Sequence, residues 1–305
     1  MADDLAALLA SGERAAFHGR PAAGLEPLRR AVELAHGQGL VAEAGAAGWL
    51  LGVCLSSVGR YGGALQVLEP TAAMGADAAV ELQVVAGLAA ATVAAVNRQL
   101  GRHGSARAHD EQALTLTGGA GEAGFDAVVG LAADAVGLGE AGAAREHQAA
   151  AKALVEEHAH WWRQRVRLGW LEAEIGLLTG EPEAAAEVAH EAVELAERSG
   201  APRHVAKGLL FLGVAQVESA REDDAAATLR RAALLAESLG TLPLLWPARA
   251  VLGALVAERD PGESERCLAS ARRAVQTIGD DLPDELRDAW LERGDVAALR
   301  AGAPG

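Results

Sequence analysis

The most unusual local cluster in the sequence is His158-Ala159-His160-Trp161-Trp162. Two imidazoles beside the carboxylate of Glu157 are residue types that bind a metal ion. On a helix, however, side chains two positions apart point about 200° away from each other, and no third ligand follows at a helical spacing. We therefore expect no metal site. The alternative interpretation is a loop-to-helix junction whose two tryptophans pack against neighbouring helices.

Other residues with reactive side chains are scattered. Ser56-Ser57 and the nine histidines form no pattern of nucleophile, base and orienting group. Cys54 and Cys267 have no CxxC neighbour, which excludes a disulfide framework and a cysteine-based zinc site. The carboxylate pairs Glu156-Glu157 and Asp223-Asp224 suit a solvated surface or a helix start. The sequence thus predicts no catalytic residue and no cofactor, and an enzyme stays an open alternative.

A run of basic residues carries the strongest suggestion of binding. Arg163, Arg167 and Trp170 are separated by four and three residues, so on a helix they share one face. Cationic groups beside a tryptophan would attract an acidic peptide or an anionic small molecule. The alternative is that these arginines are solvated and that their aliphatic stems cover apolar surface.

The composition predicts which elements position these residues. Half of the 305 residues are apolar and only 3% are aromatic. Alanine, the best helix former, makes up roughly a quarter of the chain. An all-α protein with a large core follows. The net charge of −15 and the absence of a GxxxxGK[ST] phosphate loop argue against nucleic-acid and nucleotide binding.

Small residues recur with a period of 38 to 42 residues in three parallel series. The first series lies in segments such as AVELA, the second lies 19 residues before it, and the third lies seven residues before it. Helices approach closely only where side chains are small, so each period is predicted to hold an antiparallel helix pair. The three series are Ala31, Thr71, Ala113, Ala151, Ala192, Ala232 and Ala274; Gly12, Gly52, Ala94, Ala132, Ala173 and Gly213; and Gly24, Ala64, Ala106, Ala144, Ala185 and Ala225.

Turn residues fall between the predicted helices. Pro182 and Pro261 suit the first turn of a helix. Gly200 and Gly240 suit the position just past a helix end.

This pattern resembles the tetratricopeptide repeat (TPR) family, most closely in LLFLGVAQVESAREDDAAATLRRAALLAESLG at 209–240. The long period and the ending PDELRDAWLERGDVAALR resemble the helical repeat arrays of bacterial signalling ATPases and transcriptional regulators. The resemblance implies a right-handed superhelical solenoid of about seven TPR-like pairs with a C-terminal capping helix. It also implies a concave groove lined by Arg163, Arg167, Trp170, Lys207, Glu174, Arg98 and Trp49.

We expect a single domain over 1–305, since no long linker interrupts the repeats. The predicted pairs are 5–38, 40–75, 79–117, 121–157, 160–199, 202–239 and 243–279, with a cap at 283–293.

The expected function is a bacterial scaffold or interaction module that presents its groove to a protein or peptide partner, and an acidic partner is one option. A small-molecule or peptide sensor of a regulatory system is the first alternative, and an enzyme with its active site in the groove is the second. We expect a cytoplasmic protein, because the N-terminus lacks a basic region before an apolar run and polar residues interrupt every long apolar stretch. No membrane or nucleic-acid partner is expected.

Overall fold

A computed structural model describes residues 2–73 and 78–302. Sixteen α-helices and one short 3-10 helix make up these residues, which contain no strand. The predicted all-α repeat fold is therefore confirmed. The end of the second predicted pair, at residue 75, lies outside the described residues.

The chain divides into two compact units, unit 1 with residues 1–164 and unit 2 with residues 165–305. The prediction of a single domain stays a prediction. The helices of unit 1 are α1 Ala2–His18, α2 Leu25–Gly37, α3 Val41–Val58, α4 Tyr61–Ala72, α5 Val80–Gln99, α6 His103–Thr117, α7 Gly121–Gly137 and α8 Ala141–Glu156. The unit boundary falls within α9, Trp162–Leu178. Unit 2 continues with α10 Pro182–Arg198, α11 Pro202–Glu218, α12 Glu222–Leu239, α13 Leu242–Leu255, α14 Pro261–Asp280, α15 Asp284–Glu292 and α16 Gly294–Ala301.

The three small-residue series form the contacts between helices, and every one of their members is buried. A Cβ atom added to Gly52 would lie 2.4 Å from the Leu68 side chain, and one added to Gly213 would lie 2.7 Å from Leu229. In both cases the glycine faces a leucine sixteen residues later, on the next helix. The same contact therefore recurs in both units, as the period predicts.

The turn residues act as predicted. Gly240 ends α12 with a φ of 71°, in the left-handed region that glycine adopts without strain. The following Thr241 N–H donates to the Ala236 carbonyl oxygen at 2.9 Å, which satisfies one end group of the helix. Pro182 and Pro261 each begin a helix.

The C-terminus ends in two short helices rather than one. The predicted cap corresponds to α15, where Trp290 is fully buried and its Nε1 donates to the Val275 carbonyl oxygen at 3.1 Å. Helix α16, which the sequence did not predict, follows after an extended Arg293 and also packs on α14. Both helices cover the last pair of unit 2.

Two helices, α3 and α5, are long and apolar enough to cross a membrane by length and composition, although we expected no such segment. Inside unit 1, 61% of α3 and 50% of the most apolar window of α5 are buried. A core helix of a water-soluble protein passes the same test, so these two helices are weak evidence for a membrane span.

Candidate ligand-binding sites

Arg163 lies at the start of α9, within unit 1, and its guanidinium is held by two carboxylates of α7. Nη1 donates to Asp126 Oδ2 at 3.2 Å, and Nη2 donates to Glu122 Oε2 at 3.0 Å. Burial lowers the pKa of Arg163, but the two carboxylates outweigh it and hold that pKa above its ordinary value. The charge of Arg163 is therefore balanced inside the protein, and a contact of Arg163 with an acidic ligand stays a prediction.

The same guanidinium lies over an aromatic ring. Arg163 Cζ is 5.5 Å from the centre of the Phe17 ring, and Phe17 is in turn 6.3 Å from the ring of Trp49. The indole of Trp49 is fixed in orientation, since its Nε1 donates to Thr92 Oγ1 at 3.1 Å. Arg163 and Trp49, both predicted as groove residues, thus lie at one site in unit 1.

These side chains line a cavity of about 510 Å³ that is formed within unit 1. Its volume falls in the range of small-ligand and side-chain pockets. Aromatic residues dominate the wall, carboxylates are present, and Arg163 is the cation. The lining residues are Glu13, Phe17, His18, Trp49, Val84, Leu88, Ala120, Gly121, Glu122, Ala123, His160, Trp161, Trp162, Arg163 and Gln164. We call it the aromatic cavity.

The His158–Trp162 cluster builds one wall of the aromatic cavity. Trp161 is buried against Phe125, and the ring of His158 stacks on it at 3.9 Å. Trp162 packs against His18 at 5.3 Å. The predicted packing role of the tryptophan pair is confirmed. Within the described residues, no group of three or more His, Cys, Asp or Glu side chains is placed to hold a metal ion.

Gln164 is a lining residue that the sequence did not single out. Its side chain is only 2% exposed, and its Nε2 has no hydrogen-bond partner. A buried amide donor without an acceptor costs free energy. Gln164 thus places an unsatisfied amide donor, enclosed by protein atoms, in the wall of the aromatic cavity.

In unit 2, Lys207 and Trp170 are in contact. Lys207 Nζ lies 4.7 Å from the centre of the Trp170 ring and 5.5 Å from that of Phe211. The opposite neighbour of Trp170 is His204, which stacks on it at 5.4 Å. Trp170 is only 5% exposed, so little of its ring is open to a ligand, and its predicted contact with one stays a prediction.

The remaining predicted residues of unit 2 flank Trp170 on α9. Arg167 lies one turn before it and Glu174 one turn after it, and both are half-buried. Arg167 and Lys207 are thus the cationic side chains of the predicted groove that lie in unit 2. We call them the basic pair.

Arg98, also predicted in the groove, is instead part of a buried ion cluster in unit 1. Its Nη1 donates to Asp110 Oδ2 at 2.5 Å and to Asp134 Oδ2 at 3.1 Å, and both aspartates are fully buried. Burial lowers the pKa of Arg98, but the two carboxylates raise it by more. The pKa of Arg98 therefore lies above its ordinary value, and the guanidinium stays charged. Because both carboxylates already occupy it, Arg98 is a structural cation and not a ligand contact.

A second cavity lies in unit 2 and is lined by charged rather than aromatic side chains. Arg249 donates to Glu237 Oε2 there at 3.1 Å, so part of its charge is balanced. The other lining residues are Glu265, Arg266, Ala269, Ser270 and Arg273.

No protein-family model matches this sequence, and no curated protein does. Several solved structures match this chain in fold. A Rap protein crystallised with competence and sporulation factor is 12% identical, with a TM-score of 0.65 over 97% of this chain and 86% of that one. Aspartyl phosphate phosphatase F from Bacillus subtilis is 13% identical, with a TM-score of 0.51 over 97% and 82%.

The fold is a TPR-like helical repeat. At 12% and 13% identity the likeness extends to the fold alone, and residues of this chain must carry any argument about function.

Proposed function

We propose that this chain is a binding module for a protein or peptide partner. The observation that carries the proposal is the aromatic cavity of unit 1, where rings and a buried, unused amide donor meet on a helical repeat. Rings supply contact area at little cost in conformational entropy. A helical repeat presents such a site on a rigid framework.

The likeness in fold is consistent with this role. One of the similar structures is a complex with competence and sporulation factor, so the same arrangement of helices holds a ligand there. This chain shares the arrangement over nearly its full length. A sensor in a regulatory system is the second candidate function, and the three tryptophans that line the aromatic cavity favour it.

We further propose that the basic pair of unit 2 binds an acidic group of the partner. Lys207 is held in place by the faces of Trp170 and Phe211, and Arg167 lies one turn before Trp170. Cations that are positioned in advance lose little entropy when they bind a carboxylate. A bacterial source and a cytoplasmic location are also proposed, and the second is in keeping with Cys54 and Cys267, which are both buried and not joined in a disulfide.

The test of the main proposal is a selection of peptides displayed on phage against the full chain. An enriched peptide, once synthesised, should bind with one-to-one stoichiometry in isothermal titration calorimetry. Trp49→Ala should weaken binding at least ten-fold, because it removes a ring that lines the cavity. Leu234→Ala is the matched control, since Leu234 is 62% exposed in unit 2.

Circular dichroism and thermal melting should show that both variants keep the fold. A selection that enriches no sequence would refute the binding role. Equal binding by the wild type and Trp49→Ala would place the ligand away from the aromatic cavity.

The basic pair has its own test. The double variant Arg167→Glu, Lys207→Glu should fold normally and lose affinity for acidic peptides, most clearly at low salt. Arg198→Glu, at an exposed position of unit 2, serves as the control. Unchanged affinity in the double variant would contradict the acidic-partner proposal.

A further inference from the structure

We infer that the second cavity, in unit 2, binds a phosphate group, either as inorganic phosphate or as part of a small phosphate monoester. This cavity shares no residue with the aromatic cavity of unit 1, and the inference does not depend on the proposed function. It rests on arginine side chains whose charge the protein leaves unbalanced.

Three consecutive helices form the second cavity, which has a volume of about 510 Å³. Glu237 comes from α12, Arg249 comes from α13, and the other lining residues come from α14. Arg266, Ser270 and Arg273 are separated by four and three residues, so they share one face of α14. Arg249 is half-buried, whereas Arg266 and Arg273 are exposed. The cavity therefore brings cations from two helices to one place.

The first argument is the balance of charge. Three arginines and two glutamates line this cavity, in a chain whose net charge is −15. Both glutamates already have a cationic partner, since Glu237 accepts from Arg249 at 3.1 Å and Glu265 accepts from Arg272 at 3.4 Å. The two carboxylates are also more than half exposed, at 56% and 69%, so water screens their charge. Positive charge is therefore in excess here.

The second argument is that two of the arginines are available to a ligand. The guanidinium groups of Arg266 and Arg273 form no ion pair and no hydrogen bond with any residue that the structure describes. The carboxylate one turn before Arg266, that of Glu263, is already occupied, because both of its oxygens accept from Arg230 at 2.7 Å. These two arginines thus differ from the buried cations of unit 1, which are each held between two carboxylates.

The third argument is the hydroxyl of Ser270, which α14 does not use. On the same helix, Ser264 Oγ donates to the Gly253 carbonyl oxygen at 2.7 Å. Thr277 Oγ1 donates to the Arg273 carbonyl oxygen at 2.9 Å. Within the described part of the chain Ser270 makes no such bond, so its O–H can donate to a ligand.

These donors suit a phosphate group better than a carboxylate. A phosphate group carries a charge of about −2 and three acceptor oxygens. Arg266 and Arg273 supply two positive charges, and Ser270 supplies a third donor group beside them. Guanidinium groups also bind phosphate oxygens through two parallel N–H···O bonds. A carboxylate has one charge and two oxygens, so it would leave part of this donor set without a partner.

The test measures the ³¹P NMR line widths of inorganic phosphate and of phenyl phosphate as the full chain is added, at constant ionic strength and about pH 8, where both are dianions. Binding should broaden the line, because the bound ion tumbles with the protein. Broadening for phenyl phosphate identifies a monoester as a ligand, and broadening for inorganic phosphate alone identifies the free ion. Sulfate, another tetrahedral dianion, should compete about ten-fold better than acetate.

Two variants locate the site. Arg266→Gln, Arg273→Gln should weaken phosphate binding about ten-fold or more, and Ser270→Ala should weaken it about five-fold. The matched control is Arg198→Gln, Arg221→Gln, which removes the same charge from two exposed positions of unit 2 and should leave the Kd unchanged. Circular dichroism should show that every variant keeps the helical fold, since the substituted side chains lie outside the core.

Three results would overturn the inference. If neither line broadens at millimolar concentration, the cavity does not bind phosphate. If acetate competes as well as sulfate, the arginines attract anions in general and no phosphate site exists. If the double variant binds phosphate as its control does, the phosphate lies elsewhere on the protein. None of these results bears on the peptide selection, which tests the aromatic cavity of unit 1.

Discussion

Two cations of unit 1 and Lys207 of unit 2, all at predicted groove positions, lie in different surroundings. In unit 1, Arg98 and Arg163 are each held between two carboxylates. In unit 2, Lys207 rests on the rings of Trp170 and Phe211. A positively charged residue at a predicted groove position therefore does not establish that the groove attracts an anion. Carboxylates on neighbouring helices can already balance its charge, as they do for Arg98 and Arg163.

The largest expected effect is in the ion cluster around Arg98. Arg98→Met removes the counter-charge of Asp110 and Asp134, which are both fully buried. The free energy of unfolding should fall by about 3–5 kcal/mol in urea titrations at neutral pH. A loss below about 1 kcal/mol would mean that water or a rearranged neighbour replaces the guanidinium.

The next effect tests what the two units have in common. Gly52→Leu in unit 1 and Gly213→Leu in unit 2 each force a side chain into a leucine of the next helix. Each should lower the free energy of unfolding by about 1–3 kcal/mol through overpacking. Thermal denaturation of both variants provides the measurement. If only one is destabilised, the repeat contact is not equivalent in the two units.

A smaller effect is expected where the cation rests on rings. Lys207→Met keeps most of the aliphatic stem and removes only the ammonium above Trp170. The loss of stability should be about 0.5–1 kcal/mol, measured by urea titration alongside Arg98→Met. A loss as large as that of Arg98→Met would contradict the expectation that a cation over aromatic rings contributes less stability than one held between two buried carboxylates.

The smallest effect belongs to an exposed pair of unit 2. Arg230 donates to both oxygens of Glu263 at 2.7 Å, and this hydrogen bonding lowers the pKa of Glu263. Because that pKa is lowered in the folded protein, the pair stabilises at neutral pH and its contribution is lost as the pH falls through the carboxyl range. Arg230→Met should cost about 0.2–1 kcal/mol at pH 7. Wild-type and variant melting temperatures should converge in acid, and a constant difference would contradict this.

The repeat was readable from the sequence because it depends on residue size. A glycine or alanine at a fixed spacing reports a close helix contact directly, as Gly213 does with Leu229. The turns were readable for a similar reason, since Gly240 needs a positive φ. Helix α16 was missed because it is only eight residues long and begins without a side-chain cap.

The candidate binding sites could be predicted from the sequence only in part. Helical spacing put Arg163 on a face, but its partners Glu122 and Asp126 lie about one period earlier, and spacing does not say which side chains turn toward each other. Asp110, the fully buried partner of Arg98, was not singled out either, because its burial depends on the packing of α6 against α7. Nothing in the sequence distinguished Gln164, because a side-chain N–H without an acceptor can be recognised only when the surrounding atoms are known.

The order of helix contacts has a consequence for how this protein reaches its folded state. The extensive contacts between helices join helices that are adjacent or next but one along the chain, and the contacts of Phe17 and His18 on α1 with Arg163 and Trp162 on α9 are exceptions. The extensive contacts close short loops, so little chain entropy is lost before each one forms. A helix pair can therefore dock as soon as its own residues have left the ribosome, and synthesis itself would set the pace of assembly.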